Sequence, residues 1–168
     1  MSASAKLAAV LQGLPVQRRA AVKRVVTCTQ AARLVSRAAK GQDVHALAYL
    51  QMCGALAIDA VTGEALPASA PLRIPTEINW PIFAFGVRGA RILAGDASVR
   101  DFAAQVGVSP ATVSRAENGK ELSAQAYLAL VAAIGVPPHY YVQGFRDQGF
   151  AAVASSTVVS RETPAETP

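Results

Sequence analysis

Apolar positions between residues 82 and 138 fall at helical spacing, and small polar residues and glycines cut them into four short runs. Phe83, Val87, Ala90, Ile92 and Leu93 suit one helix stopped by Gly95-Asp96. Ser98 is placed to cap a second through Phe102, Ala103 and Val106, its oxygen accepting a free first-turn amide. Gly107-Val108-Ser109 turns the chain, and Ser109 caps a third helix with Pro110 at its first position, where a missing N–H costs nothing. That helix carries Val113 and Ala116 inward and ends at Asn118-Gly119. Ser123 caps a fourth, with Tyr127, Leu128, Val131 and Ile134 on one face, closed by Gly135 and Pro137-Pro138. Two short helices joined by a tight Gly-containing turn form a helix-turn-helix.

Residues 5–58 are also helical in pattern. One helix runs from about Pro15 to Thr27 and another starts near Thr29–Ala31. Between the blocks, Pro67, Pro71, Pro75 and Pro81 preclude continuous helix, so 59–81 is expected to be a Pro-rich linker with a short extended piece at Leu72–Ile74. Residues 149–168 lack apolar periodicity and are expected to be mostly disordered. The expected fold is all-α: two small helical domains, 5–58 and 82–148, joined by that linker.

Composition agrees, because 35 of the 168 residues are alanine and few are aromatic, which favours close-packed short helices over sheets. The longest near-apolar run, Tyr127–Val136, falls far short of the roughly 20 residues of a membrane span. The basic cluster Arg18, Arg19, Lys23 and Arg24 follows the apolar stretch Leu7–Leu14, the reverse of a secretory signal. A reduced, cytoplasmic protein is the simplest expectation. The net charge of +5 is unevenly spread, since residues 1–58 carry eight Lys or Arg against the single acid Asp43. Such a block suits a polyanion-binding surface, and equally a helix with a solvated basic face.

The string from Ser98 to Lys120 resembles the phage-repressor, Cro and Xre-like helix-turn-helix family. Ser98, Phe102-Ala103, Gly107-Val108-Ser109, Thr112-Val-Ser-Arg115 and Glu117-Asn-Gly-Lys120 carry the likeness, which covers about 83–142. Directly after Ser98, where many members have Gln, the chain has Val99. The resemblance implies lambda-repressor-like domains and a DNA-binding regulator.

The first block reads as a second, divergent copy. Shifting the chain on itself by 78 residues aligns Ala32–Ile58 with Pro110–Val136 without a gap, with ten of 27 positions identical, among them Val35-Ser-Arg-Ala38 with Val113-Ser-Arg-Ala116 and Tyr49-Leu50 with Tyr127-Leu128. The same shift sets Cys28 on Val106 and Cys53 on Val131, so both cysteines are expected in apolar cores, and it sets His45 on the cap Ser123. Tyr49 and Tyr127 are expected to pack in the cores.

In a helix-turn-helix the second helix enters the major groove, with base contacts setting specificity and phosphate contacts setting affinity. In the second block Ala111 and Thr112 suit a thymine methyl, Arg115 suits guanine O6 and N7, Ser109 and Ser114 suit phosphate oxygens, and Asn118 and Lys120 lie where family members often touch the backbone. In the first block Arg33, Ser36, Arg37 and Lys40 are the candidates, with Leu34 beside them. The competing assignment pairs Arg115 with Glu117, and leaves Arg37, as surface groups of their own helices.

The expected function is a sequence-specific, double-stranded-DNA-binding transcriptional regulator of bacterial or phage type, most often a repressor in such families. Two recognition helices on one chain would imitate a two-fold dimer, and homodimerisation would add half-sites. The alternatives are an interaction module that binds a partner regulator and an architectural, excision-type factor. No paired carboxylates, nucleophile–base arrangement, metal spacing or phosphate-cradling loop points to an enzyme, a cofactor or a small-molecule substrate.

Overall fold

The computed structural model describes residues 3–67, 70 and 73–147. In chain order these form α1 (Ala3–Gly13), α2 (Val16–Val25), α3 (Ala31–Ala39), α4 (Ala46–Leu56), β1 (Arg73–Ile78), α5 (Trp80–Leu93), α6 (Val99–Val106), α7 (Pro110–Glu117), α8 (Ala124–Ile134) and β2 (Val142–Asp147). The chain is mostly helical, and the all-α expectation is corrected by the two strands.

The serines behave as their positions predict. Ser98 accepts from the Asp101 amide, Ser109 from Thr112, with Pro110 in the first turn, and Ser123 from Ala126. Each cap satisfies one of the free N–H groups that a helix start leaves. In the C-terminal half (α5–α8), α5 and α6 pack on both α7 and α8, burying Phe83, Val87, Phe102, Val113, Tyr127 and Leu130. Fully burying a side chain such as Phe83 or Leu130 contributes about 1.5–3 kcal/mol. Trp80, Phe83, Tyr127 and Tyr141 stack edge-on or tilted at centroid separations of 5.1 to 6.0 Å. Of the apolar positions read onto this helix, Phe83 and Val87 are buried, whereas Ile92 and Leu93 lie in solvent, Leu93 at 89% exposure.

In the N-terminal half (α1–α4), α1 packs on α3, α2 on both α3 and α4, and α3 on α4. Its core of Leu7, Leu11, Val22, Val25, Val35, Tyr49 and Met52 is nearly without aromatics. Tyr49 and Tyr127 are both buried, as expected, and burial raises both phenols well above their ordinary range. Cys53 is buried too, but Cys28 is half-buried and sits in the turn after α2 rather than on a helix. The constant shift of 78 fails there, because α2 ends at Val25 and five residues separate it from α3, against three between α6 and α7. Val25, the last residue of its helix, occupies the place of Val106.

The Pro-rich segment is more structured than a linker. Asp59 accepts amides from Val61 and Thr62 and starts a loop that folds back on α4, closed by Leu66 N–H donating to the Ala57 carbonyl. Burial opposes charge on Asp59, yet these amides hold its carboxyl below its usual range. Residues 73–78 then pair antiparallel with 142–147, Pro75 facing Phe145 and Ile78 facing Val142. Both strands of a two-stranded ribbon are edges, which tolerate proline; hence proline density excluded helix without excluding strand. Pro81 lies within the first turn of α5, capped by Asn79, and not in a linker. The ribbon sits on α4 where Gly54 leaves room, since a Cβ there would lie 2.6 Å from the Arg73 carbonyl oxygen. The tail 149–168, expected to be disordered, lies outside the described residues.

The halves are not beads on a string. The Ala46 amide donates to the Leu122 carbonyl at 3.1 Å and the Ala124 amide to the Val44 carbonyl at 2.7 Å, forming an antiparallel bridge between His45 and Ser123. α4 packs on α8, and the buried side chains of both halves form one continuous core.

Candidate nucleic-acid interface

The candidate residues are carried on α7 and α3. Val113 and Ala116 pin α7 into the core with no exposed surface, leaving Ala111, Ser114 and Arg115 on the outer face. Thr112 is half-buried, with its hydroxyl 2.8 Å from the Ser109 oxygen, so these two side chains secure the helix start as well as facing outward. Ser109 is itself exposed. Asn118 folds back to donate to the Ser114 carbonyl, and Lys120 extends into solvent just beyond.

On α3 the pattern is parallel. Val35 and Ala38 anchor the helix while Arg33, Ser36, Arg37 and the terminal Lys40 are exposed. Leu34 is buried at 7% exposure and leaves the outward face, correcting its grouping with the candidates. Arg33 donates to the Gln30 side chain at 3.2 Å. Of the basic residues on α2, Lys23 and Arg24 are exposed, but Arg19 turns inward to donate to the Gln12 and Leu14 carbonyls. It holds the α1–α2 corner rather than serving the surface.

Two arginines are held alike. Arg37 donates from Nη2 to the Asp43 carbonyl at 2.9 Å, and Arg115 does the same to the Glu121 carbonyl at 2.9 Å. Each guanidinium is thereby pre-oriented, with further N–H donors left for a partner. The pairing of Arg115 with Glu117 does not occur. Glu117 instead binds Arg91 of α5 at 2.7 Å, and its carbonyl receives Arg88 at 2.6 Å. The hydrogen bond and charge of Glu117 raise the Arg91 guanidinium further above its already high value.

A groove of about 510 Å³ runs between the halves and is lined by Arg37, Asp43 and His45 on one side and by Ser109, Ala111, Thr112 and Arg115 on the other. Five sequence candidates therefore meet in one place. Arg33, Ser36, Lys40, Ser114, Asn118 and Lys120 lie outside its lining. Sequence reasoning missed Asp43, whose Oδ1 receives the Val44 amide and, across the junction, the Gln125 amide at 3.3 Å. It also missed His45 as a wall residue, although the alignment of His45 with Ser123 carried the signal.

Among the described residues no group of His, Cys, Asp and Glu is arranged to hold a metal ion. Among the same residues no helix is long and apolar enough to cross a membrane.

A family model described as Helix-turn-helix matches residues 90–141, from the last turn of α5 through α8 to Tyr141. The match covers somewhat less than a third of the chain and does not extend to the N-terminal half. No curated protein and no solved structure matches the chain. The C-terminal half thus holds a helix-turn-helix of a type found in DNA-binding regulators.

Proposed function

We propose that the protein is a sequence-specific, double-stranded-DNA-binding transcriptional regulator, a repressor of phage or mobile-element type, that inserts α7 and α3 into the major groove. One observation carries the reading: two outward helix faces, Ala111/Ser114/Arg115 and Arg33/Ser36/Arg37, flank a groove that both halves line. Arg115 and Arg37 suit guanine edges, Ala111 and Thr112 a thymine methyl, and each bidentate arginine pair contributes roughly 1–3 kcal/mol of base discrimination. Ser36, Lys40, Ser109, Ser114, Asn118 and Lys120 serve the phosphates, which set affinity and its salt dependence. The basic N-terminal half supplies most of that affinity and the C-terminal half part of the sequence reading.

Footprinting on the DNA upstream of the protein's own coding region tests this. Protection over about two helical turns that Arg115→Ala abolishes supports it. In parallel, Lys40→Ala flattens the salt dependence. Absence of protection, or an Arg115→Ala variant with unchanged affinity, overturns it.

A second reading, a module that receives a partner regulator, draws on the apolar stripe of α5. Ile82, Phe85, Ile92 and Leu93 are 52%, 70%, 58% and 89% exposed, a concentration typical of interaction surfaces. It wins if Phe85→Ser abolishes regulation while leaving DNA affinity unchanged.

A further inference from the structure

We infer that the protein is a two-fold DNA reader folded within a single chain, which binds as a monomer to an operator whose two half-sites agree at one base position and differ at another. The inference rests on the DNA-binding reading above and extends it to stoichiometry and to the form of the target.

The junction between the halves is reciprocal. Ala46 N–H binds Leu122 O, and Ala124 N–H binds Val44 O. A shift of 78 residues carries 46 to 124 and 44 to 122, so each bond is the other with the halves exchanged. The bridge pair His45 and Ser123 is related by the same shift. In a symmetric dimer such reciprocity is enforced by identical chains, the mark of an isologous interface. The two bonds follow together from one antiparallel bridge, but nothing requires that bridge to join residues related by the internal shift, and it does so although only ten of 27 aligned positions are identical.

The correspondence continues away from the junction. α4 and α8 span equivalent residues, Arg37 to Asp43 O matches Arg115 to Glu121 O, and Tyr49 hydroxyl to Ala60 O matches Tyr127 hydroxyl to Pro138 O. Gly41 and Gly119 both adopt left-handed φ, at +70° and +64°, directly after their recognition helices. The surface that a lone helix-turn-helix half would offer to a second copy is thus occupied in cis.

The identity of the outward side chains then dictates the target. Arg37 and Arg115 are equivalent under the shift, both line the junction groove, and are the same residue. They call for the same base, guanine, at equivalent positions of the two half-sites. Arg33 and Ala111 are equivalent in position and unlike in chemistry, one a double donor and the other a methyl group. They call for guanine in one half-site and the thymine methyl in the other. The operator is therefore an imperfect palindrome with a defined polarity, and one chain occupies it in one orientation.

Selection from a random duplex pool with the full chain, followed by light scattering of the complex on the enriched duplex, tests this. The expected result is one chain per duplex and two unlike half-sites of opposite orientation sharing one guanine position. Arg33→Ala, an exposed change that leaves the core intact, should reduce preference at one position of one half-site about tenfold and leave the other half-site unchanged. Two chains per duplex, a perfect palindrome, or a single half-site would overturn the fused reader while leaving DNA binding standing. No enrichment at all would overturn both.

Discussion

In the C-terminal half, three residues join α6 to α7, and the start of α7 is fixed by its own neighbours: Gly107 turns left-handed, Ser109 caps, and Pro110 opens the helix. In the N-terminal half, five residues join α2 to α3, no side chain caps α3, and Gln30 itself takes the left-handed conformation at φ 68°. The missing local control is replaced from a distance. Gln51, on α4 and fully buried, accepts from the Thr27 amide, donates to the Thr27 hydroxyl, and donates to the Pro75 carbonyl of β1. Its counterpart under the internal alignment is Ala129, which has no such bonds to make. Similar placements of the helix that follows the turn, α7 and α3, are thus specified locally in one half and by tertiary contacts in the other.

The sharpest way to break this comparison is Gln51→Leu. It removes three hydrogen bonds and strands the Pro75 carbonyl, and it should cost about 3 kcal/mol in chemical denaturation. A loss under 1 kcal/mol would show that α3 is held locally after all. Ser109→Ala probes the other half and should cost about 1 kcal/mol, the usual value of a lost serine cap. Gln30→Gly should do the opposite and stabilise by about 0.5 kcal/mol, because glycine takes positive φ without a Cβ penalty. Destabilisation there would mean that the Gln30–Arg33 contact outweighs the backbone strain.

The smallest effect concerns pH. Burial, with Asp59 adding to it and a hydrogen bond from Tyr49 opposing it, pushes the Cys53 thiol up to about 12 from an ordinary value near 9. A folded value raised above the unfolded one gives stability that is full below pH 9 and is lost as pH rises towards 12. The melting temperature should therefore begin to fall above pH 9. In Cys53→Val, which copies its counterpart Val131, the fall should be shallower, because only the half-buried Cys28 thiol, also raised by burial, and the tyrosines remain to drive it. An identical slope in both proteins would remove Cys53 as the cause.

The same contrast explains what the sequence made legible. Ser98, Ser109, Ser123 and Gly107 act within a few residues of themselves, so the whole C-terminal helix-turn-helix and its outward residues were readable, and the family match falls on that half. Of the ribbon only the start was readable, since Arg73 and Ile74 of the expected extended piece open β1. The rest was not, because Arg73–Ile78 lacks clean alternation, contains Pro75, and finds its partner only after the entire C-terminal half has intervened. Gln51 looked like an ordinary polar residue in an apolar helix, and nothing local announces its three bonds. Cys28 was misplaced because a rigid register cannot absorb a longer turn. The Arg91–Glu117 pair joins two helices and could not be distinguished by spacing from a pairing within α7.

The ribbon has one more consequence. Because β1 enters the C-terminal half and β2 leaves it as paired neighbours, that half begins and ends at a single place, seated on α4 over Gly54. It is therefore a cartridge, plugged in by both contacts at once. A different four-helix segment with the same two flanking strands, and with the backbone ladder at 122–124 preserved, could be exchanged for it without rerouting the rest of the chain. The outward residues of α7 could then be replaced as a unit while the N-terminal half is left as it is.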